Sequence, residues 1–127
     1  MDAIRKINTD KAPAAIGPYS QAIAAGNMIY LAAQIGLGSQ SGKLADGGIA
    51  TETKQTLENI KAVLAAAGSD MTKVVFVNVY LADMNDFAAM NEVYAGFFKE
   101  PYPARATVAV KSLPKNAKVE ISAVAVK

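Results

Sequence analysis

The chain contains no histidine and no cysteine. A Ser-His-Asp or Cys-His nucleophile is therefore excluded, and the absence of both residue types argues against a zinc or iron site. Disulfides are excluded as well, which is compatible with the cytosol. Any catalysis has to use arginine, lysine, carboxylates, tyrosine, hydroxyls and backbone amides.

The sequence also lacks long apolar runs and clusters of like charge. No stretch approaches the roughly 18 apolar residues of a membrane span, and the charged amino terminus (MDAIRKINTD) does not predict an export signal. The 13 basic and 11 acidic side chains are spread along the chain, so a nucleic-acid surface is not expected. We therefore expect a cytoplasmic protein without membrane or nucleic-acid contacts.

What the chain does contain predicts a single domain over residues 1–127. Apolar residues make up 52% of the sequence, which is enough for one core. The five prolines and nine glycines are scattered, so neither a linker nor a disordered segment is indicated.

Five segments have the composition of β-strands. They are residues 20–25, 28–34, 73–81, 104–110 and 117–126. The easily turned Gly26-Asn27 predicts that the first two form a hairpin. The third (KVVFVNVYL) is rich in β-branched and aromatic residues, and we expect it to be central and covered on both faces.

Two segments have helical spacing, and the first covers residues 49–67, with Gly68 placed to end it. The second, roughly 13 residues long, is capped by Asp83 or Asn85 and ends before Pro101. The apolar positions are Leu57, Ile60, Val63, Leu64 and Ala67 in the first helix and Phe87, Met90, Tyr94 and Phe97 in the second.

This order predicts an α+β fold, with a five- to six-stranded mixed sheet and both helices on one face. Both faces of strand 73–81 are too apolar to be exposed to solvent. One face carries Val75, Val77, Val79 and Leu81, and the other carries Val74, Phe76 and Tyr80. Homo-oligomerisation through the uncovered face is the simplest solution. The alternative is a monomer in which the long loop at residues 35–48 lies over that face.

Two charged side chains stand in otherwise apolar strands. Arg105 carries a planar, permanent charge that matches the carboxylate of a small 2-oxo or 2-imino acid, or it is a solvated strand end. Glu120 points to water from an edge strand, or a pocket tunes its pKa for proton transfer. If the turn at residues 111–116 makes the last two strands an antiparallel hairpin, Arg105 and Glu120 meet on one face. A sheet order that separates these strands requires another route, such as a contact across subunits.

Three further residues are candidates for ligand contacts. Tyr19, in the segment GPYS, offers a phenol or packs in the core. Asn91, on the second helix, fixes a ligand or caps a loop. Thr107 shares the strand face of Arg105 and offers its hydroxyl or its backbone N–H. No metal-ligand cluster, phosphate loop or nucleotide fingerprint is found in the sequence.

Four blocks of the sequence recur together in one known family. They are APAAIGPYSQA, ETKQTLENIKAVLAAAG, VYLADMNDFAAMNEVYAGFF and PARATVAVKSLPKNAKVEISAVAVK, and they span nearly the whole chain. The chain thereby resembles the reactive intermediate deaminase (Rid, or YjgF) family. This resemblance implies a chorismate-mutase-like α+β fold, a homotrimer whose sheets form a central barrel, and a ligand cleft at each subunit boundary.

The resemblance also implies roles for single residues. The family's carboxylate-binding arginine falls on Arg105, its water-positioning glutamate on Glu120, its pocket tyrosine on Tyr19 and its helix asparagine on Asn91. The chain departs from the family at Thr107, where cysteine is common, and around Ala33, where members read Ser-Gly-Gln-Ile-Pro. Because alanine adopts a positive φ less readily than glycine, the resemblance leaves the substrate contact of the Ala33 backbone in question.

The implied activity is the hydrolysis of reactive 2-imino or enamine acids, such as 2-iminobutanoate and 2-iminopropanoate, to a 2-oxo acid and ammonia. Arg105 anchors the substrate carboxylate, Glu120 orients a water, and backbone amides near Ala33 and Thr107 hold the substrate. No cofactor is implied, because the imine is already electrophilic. The rival is a non-catalytic trimer that binds a small acid and regulates a protein partner. An RNA-acting role is disfavoured by the near-neutral charge and the missing histidines.

Overall fold

The computed structural model describes residues 3–127, in which two helices pack on one face of a six-stranded sheet. The strands are β1 (Arg5–Ile7), β2 (Ala22–Ala25), β3 (Met28–Gln34), β4 (Val74–Leu81), β5 (Ala104–Ala109) and β6 (Val119–Val126), and the helices are α1 (Ile49–Ala66) and α2 (Phe87–Ala95). The order across the sheet is β1-β2-β3-β6-β4-β5. All neighbours are antiparallel except β4 and β5, so the predicted mixed sheet is confirmed.

The hairpin of β2 and β3 turns at Gly26, as predicted. Gly26 has a φ of 59°, a left-handed conformation that glycine adopts without steric cost, and Ala25 pairs with Met28. Strand β1, which pairs with β2, was not predicted. Its three residues are Arg5, Lys6 and Ile7, and only the last is buried, so the segment has no apolar pattern to reveal it.

Helix α1 ends where the sequence predicts. Gly68 has a φ of 78°, and its N–H donates to the carbonyl of Ala65, while the N–H of Ser69 donates to the carbonyl of Leu64. These two bonds form the Schellman arrangement that closes many helices. The predicted apolar positions Leu57, Ile60, Val63 and Leu64 are buried against the sheet.

Helix α2 is shorter than predicted. The side chain of Asp83 accepts from the N–H of Asn85 at 2.9 Å, and this cap belongs to a 3₁₀ turn, Met84–Asp86, rather than to the helix. The helix that follows has nine residues, so the expected length was wrong. Met90 and Tyr94 face the core as predicted.

The hairpin expected between the last two strands is not formed, because β4 lies between β5 and β6. Arg105 therefore pairs with Val77 of β4, and Glu120 pairs with Tyr80 of the same strand. The segment from β4 through α2 to β5 is a strand–helix–strand crossover, which returns the chain parallel to its starting strand. The placement of β6 on the other side of β4 cannot be deduced from the length of the last turn.

Strand β4 presents one face to the helices and one to the outside. Val77, Val79 and Leu81 are buried in the core, as the alternation predicts. The pairing with β6 shifts between Val74 and Phe76, which buries Val74 and leaves Val75 exposed, so the expected faces of Val74 and Val75 were wrong. A bulge of this kind interrupts the two-residue period of a strand.

No helix among residues 3–127 covers the second face of the sheet, which we call the open face. It carries Tyr30, Phe76, Tyr80, Val108, Glu120 and Val124. Tyr30 and Phe76 both pair with Val124, which forms an apolar row across three strands. The sequence argument for a partner on this face is therefore consistent with the fold.

The loop at residues 35–48 begins on the helix side of the sheet. The buried Asn59 amide of α1 donates to the carbonyl of Ile35 at 3.2 Å and to that of Leu37 at 2.9 Å. These bonds tie the start of the loop to α1. Tyr30, Phe76 and Val108 of the open face stay exposed, so the loop does not cover them as the monomeric alternative requires. In the described chain, neither α1 nor α2 combines the length and apolar character needed to cross a membrane.

Candidate functional site

The guanidinium of Arg105 packs between two aromatic rings of α2. Its Cζ lies 4.6 Å from the centroid of the Tyr94 ring and 5.6 Å from that of Phe87. Its Nη1 donates to Oδ1 of Asn91 at 2.7 Å. Phe87, Asn91 and Tyr94 are spaced four and three residues apart, so the helix presents all three on one side. The guanidinium orientation is thus set by two rings and one amide.

The groups that hold Arg105 are neutral. A cation–π contact and a hydrogen bond to an amide orient the guanidinium without cancelling its charge. The half-buried Arg105 opens into a cavity of about 460 Å³, which we call the arginine cavity. The cavity is lined by Asn91, Tyr94, Ala95, Tyr102, Pro103 and Arg105. A fixed, uncompensated positive charge beside a cavity is suited to an anionic ligand.

Unpartnered hydroxyls flank the same arginine. Three buried side-chain oxygens within residues 3–127 have no hydrogen-bond partner, and they belong to Thr53, Tyr94 and Thr107. Thr107 follows Arg105 by two residues and pairs with the buried Val79, so it shares the face of Arg105 as predicted. Burial raises the pKa of Tyr94, and the charge and the N–H donors of the neighbouring Arg105 guanidinium oppose this only in part. The Tyr94 hydroxyl therefore stays protonated and remains a donor.

Glu120 lies in a different cavity, of about 360 Å³, which we call the glutamate cavity. Its lining includes Tyr19 and Ala33, so three of the predicted site residues meet here. Burial raises the pKa of the half-buried Glu120 carboxyl, because the charged form loses water. A carboxylate with a raised pKa accepts a proton more readily from a water molecule.

Ala33 does not adopt the positive φ that would favour glycine at this position. The positive-φ residues other than glycine within residues 3–127 are Lys115 and Asn116. Ala33 instead lies where the pairing of β3 with β6 shifts register, between Leu31 and Gln34. Such irregularities often adjust a side chain or a backbone group next to a site.

Arg105 and Glu120 do not meet within one chain. Arg105 is in register with the core-facing Val77, whereas Glu120 is in register with Tyr80 on the open face. The register places their Cα atoms roughly 14 Å apart, from three residues along the strands and two strand spacings across them. The prediction that a hairpin brings Arg105 and Glu120 to one face is wrong, because the sheet itself lies between them.

Several residues that line the cavities or contact Arg105 were not assigned to a site from the sequence. Phe87 and Tyr94 were placed on the apolar side of the second helix, and their spacing around Asn91 was the available signal. Tyr102 had no pattern to indicate it. Lys115 lines the glutamate cavity and has a left-handed backbone, with a φ of 55°. No group of three or more acidic, histidine or cysteine side chains in residues 3–127 is arranged to hold a metal ion.

Known proteins match the chain in both sequence and fold. A family model described as Endoribonuclease L-PSP matches residues 9–127. The chain belongs to this family. A human protein named 2-iminobutanoate/2-iminopropanoate deaminase is 52% identical over 122 residues, which cover 96% of this chain and 89% of the human one. The resemblance to the Rid family is thereby confirmed.

Solved structures of family members share the fold closely. A crystal structure of RidA from the Antarctic bacterium Psychrobacter sp. PAMC 21119 matches with a TM-score of 0.94 and 46% identity, over 97% of this chain and 99% of that one. A crystal structure of E. coli TdcF with bound serine matches with a TM-score of 0.92 and 38% identity, over 97% of this chain and 98% of that one. The six-stranded sheet with two helices is therefore the fold of this family.

Proposed function

We propose that this protein hydrolyses reactive 2-imino acids such as 2-iminobutanoate and 2-iminopropanoate, and their enamine tautomers, to 2-oxo acids and ammonia. One observation carries the proposal. The guanidinium of Arg105 is fixed by neutral groups at the wall of a cavity, so its charge is free for a substrate carboxylate. The 52% identity to a human protein named for this activity supports it. A cytosolic location is part of the same proposal.

The active site is completed between chains of a homotrimer in which three sheets form a central barrel, as in the chorismate-mutase-like arrangement. This part of the proposal is supported by the open face, whose apolar row includes the half-exposed Tyr30. It is also supported by the separation of Arg105 from Glu120, because a neighbouring chain can bring the glutamate cavity to the arginine cavity. A closed symmetric assembly repeats that contact at every boundary.

The reaction needs only orientation and proton transfer. Arg105 binds the carboxylate and thereby fixes C2, while Asn91 holds the guanidinium. Glu120 takes a proton from a water, whose oxygen bonds to C2 and gives a carbinolamine. That proton passes to the nitrogen as the C=N double bond opens. A second proton then moves from the carbinolamine hydroxyl to the amine, the C–N bond breaks as the C=O bond forms, and ammonia leaves a 2-oxo acid. Backbone amides near Thr107 and Ala33 hold the substrate, Tyr19 completes the wall, and no cofactor takes part.

The decisive experiment generates 2-aminocrotonate from threonine with a pyridoxal-phosphate dehydratase and follows the loss of this intermediate. The wild-type protein is expected to accelerate its decay and the appearance of 2-oxobutanoate. Arg105→Ala is expected to leave the rate at the level seen without protein. Equal decay in all three reactions would remove the proposal.

The second candidate is a non-catalytic trimer that binds a small acid and regulates a protein partner. The arginine cavity favours it as much as the enzyme, and TdcF was crystallised with the amino acid serine. Only the enzyme requires Glu120. Glu120→Ala is therefore expected to abolish turnover while 2-oxobutanoate binding is largely kept. Unchanged turnover in this variant would contradict the role of Glu120, whereas a wild-type protein that binds 2-oxobutanoate without turning over the imine would favour the regulator.

The family description also names an endoribonuclease. The near-neutral net charge of +2 does not favour a phosphate-tracking surface. RNA binding that weakens steeply as salt is raised would support this third role, and its absence is the expected result.

A further inference from the structure

The O–H proton of Tyr94 has no acceptor that the packing of the chain provides. Tyr94 is 6% exposed, and its oxygen has no well-aligned hydrogen bond within residues 3–127. The guanidinium of Arg105 lies close enough to lower the Tyr94 pKa, but a guanidinium has only donors and cannot accept the phenol proton. Buried hydroxyls in folded proteins are nearly always hydrogen-bonded, so a lone one requires an explanation. This one belongs to a side chain on the wall of the arginine cavity.

The ring of Tyr94 is already accounted for, whereas its hydroxyl is not. The ring packs against Phe98, with centroids 4.5 Å apart, and against the guanidinium of Arg105 at 4.6 Å. A phenylalanine ring would make both contacts and would bury no polar atom. The oxygen thus adds a desolvation cost that the free chain does not recover. A partner has to come from outside the chain, and Tyr94 lies on the wall of the arginine cavity, where a ligand would supply one.

We propose that the Tyr94 hydroxyl donates a hydrogen bond to the carboxylate that Arg105 binds, which makes Tyr94 a further substrate-binding residue. This inference rests on the proposed function. A carboxylate has about four acceptor positions, and a bidentate guanidinium occupies two of them. The phenol beside the guanidinium therefore donates to a third acceptor position of the carboxylate. Because the phenol is neutral, it does not alter the charge balance between the carboxylate and Arg105. The raised pKa of Tyr94 keeps the donor proton in place at physiological pH.

The test is Tyr94→Phe, which removes the hydroxyl and keeps the ring. Binding of 2-oxobutanoate, measured by calorimetry, is expected to weaken about tenfold, the usual size for a lost hydrogen bond to a charged group. The value of kcat/KM with 2-aminocrotonate is expected to fall by a similar factor, mainly through KM. Thr51→Val is the control, because it removes an exposed hydroxyl of α1 that lines neither cavity, and it is expected to leave ligand affinity unchanged.

Thermal unfolding without ligand separates a binding role from a structural one. If the hydroxyl serves the ligand, Tyr94→Phe unfolds at the wild-type temperature or above it, and the ligand-induced rise in Tm is smaller. A lower Tm together with unchanged affinity would overturn the inference. So would a weakened assembly with unchanged affinity, because the hydroxyl would then have its partner on a neighbouring chain.

The failure of this inference can be told apart from the failure of the proposed function. If the wild-type protein binds 2-oxobutanoate, Arg105→Ala does not, and Tyr94→Phe binds like the wild type, only the role of Tyr94 is lost. If neither the wild-type protein nor any variant binds the acid or turns over the imine, the proposed function itself falls.

Discussion

Arg105 and Glu120 lie on opposite faces of one sheet, with strand β4 between the strands that carry them. The arginine is in register with the buried Val77 and the glutamate with Tyr80. The sheet prevents them from forming an ion pair within one chain. Under the proposed function, each site therefore takes its arginine from one chain and its glutamate from another.

Complementation between inactive variants tests this division directly. Arg105→Ala and Glu120→Ala are each expected to be inactive, because every site then lacks one group. When the two variants are refolded together, about a quarter of the sites receive both groups by random assembly, and a similar fraction of wild-type activity should return. Refolding Arg105→Ala with a chain that carries both substitutions is the control, and it should restore nothing. No recovery in verified mixed assemblies would contradict the division.

Arg105→Lys tests whether activity requires the planar, bidentate geometry of the guanidinium as well as its charge. Lysine keeps the charge but loses the bidentate geometry and the stacking between Phe87 and Tyr94. We expect kcat/KM to fall roughly ten- to hundredfold, which corresponds to the loss of one or two charge-assisted contacts. Arg5→Lys on the exposed part of β1 is the matched control. A lysine variant within twofold of the wild type would show that the charge alone is sufficient.

The pH dependence of activity should follow the raised pKa of Glu120. The carboxylate is the active form, so kcat/KM is expected to fall on the acid side at a pH above the ordinary glutamate value. Tyr19 and Lys115 are the other titratable residues that line this cavity. Glu120→Gln removes the base, so its residual activity should not show that acid limb. An acid limb of normal position in the wild type would contradict the role of Glu120.

The raised pKa of Glu120 also affects stability, but in the opposite direction: activity is expected to increase as the pH rises, whereas stability is expected to decrease. Because the folded state binds the proton more tightly than the unfolded state, the free energy of unfolding decreases as the pH rises from the unfolded pKa through the folded one. Glu120→Gln is expected to remove this decrease. Urea unfolding of the wild type and the variant, at a pH below the ordinary glutamate pKa and again near neutrality, measures the difference.

Gln21 should be important for stability, because its buried amide holds the segment that precedes it. Its Oε1 accepts from the N–H of Thr9 at 2.7 Å, and its Nε2 donates to the carbonyls of Thr9 at 3.0 Å and Pro13 at 2.8 Å. Gln21→Ala is expected to lower the free energy of unfolding by about 2 to 3 kcal/mol. Gln40→Ala, in an exposed loop, should change it by less than about 0.5 kcal/mol. Equal values from urea unfolding would contradict the prediction.

A charge on the open face should disrupt the proposed assembly. Val124 lies between Tyr30 and Phe76 in the apolar row, so Val124→Glu places a carboxylate where another chain is expected. Sedimentation is expected to show a smaller species, and deaminase activity should be lost with it. Ala50→Glu on the exposed side of α1 is the control and should keep both. A variant that sediments like the wild type would place the interface elsewhere.

Local signals in the sequence were reliable where the structure depends on local chemistry. Gly26-Asn27 identified the first hairpin, and Gly68 marked the end of α1, because a positive φ at a turn is a property of the residue itself. The bulge beside Val74 was missed, because the pattern of apolar residues does not indicate a single shift in strand pairing. The order of the last strands was missed for a related reason. The length of the turn between β5 and β6 does not determine whether these strands are neighbours or, as here, are separated by β4.

The candidate site could likewise be predicted only in part, because its layout depends on the order of the strands in the sheet. Arg105, Glu120, Tyr19 and Asn91 were selected by residue type and by family resemblance, and the structure places each of them on a cavity wall. Their division into two cavities depends on which face each strand position takes. The face that each position takes follows from the register across β5, β4 and β6. These strands are consecutive along the chain but stand in a different order in the sheet, so only the folded sheet reveals it.

The edge position of β5 leaves part of its backbone open to pairing with another strand. β5 ends the sheet, so one side of its backbone lacks a neighbouring strand within the described residues. Edge strands are commonly protected by charged side chains that discourage accidental pairing. Arg105 is the only charged residue in β5, and it turns toward the rings of α2 instead. We therefore expect this edge to be a part of the sheet that pairs readily with a strand of another chain.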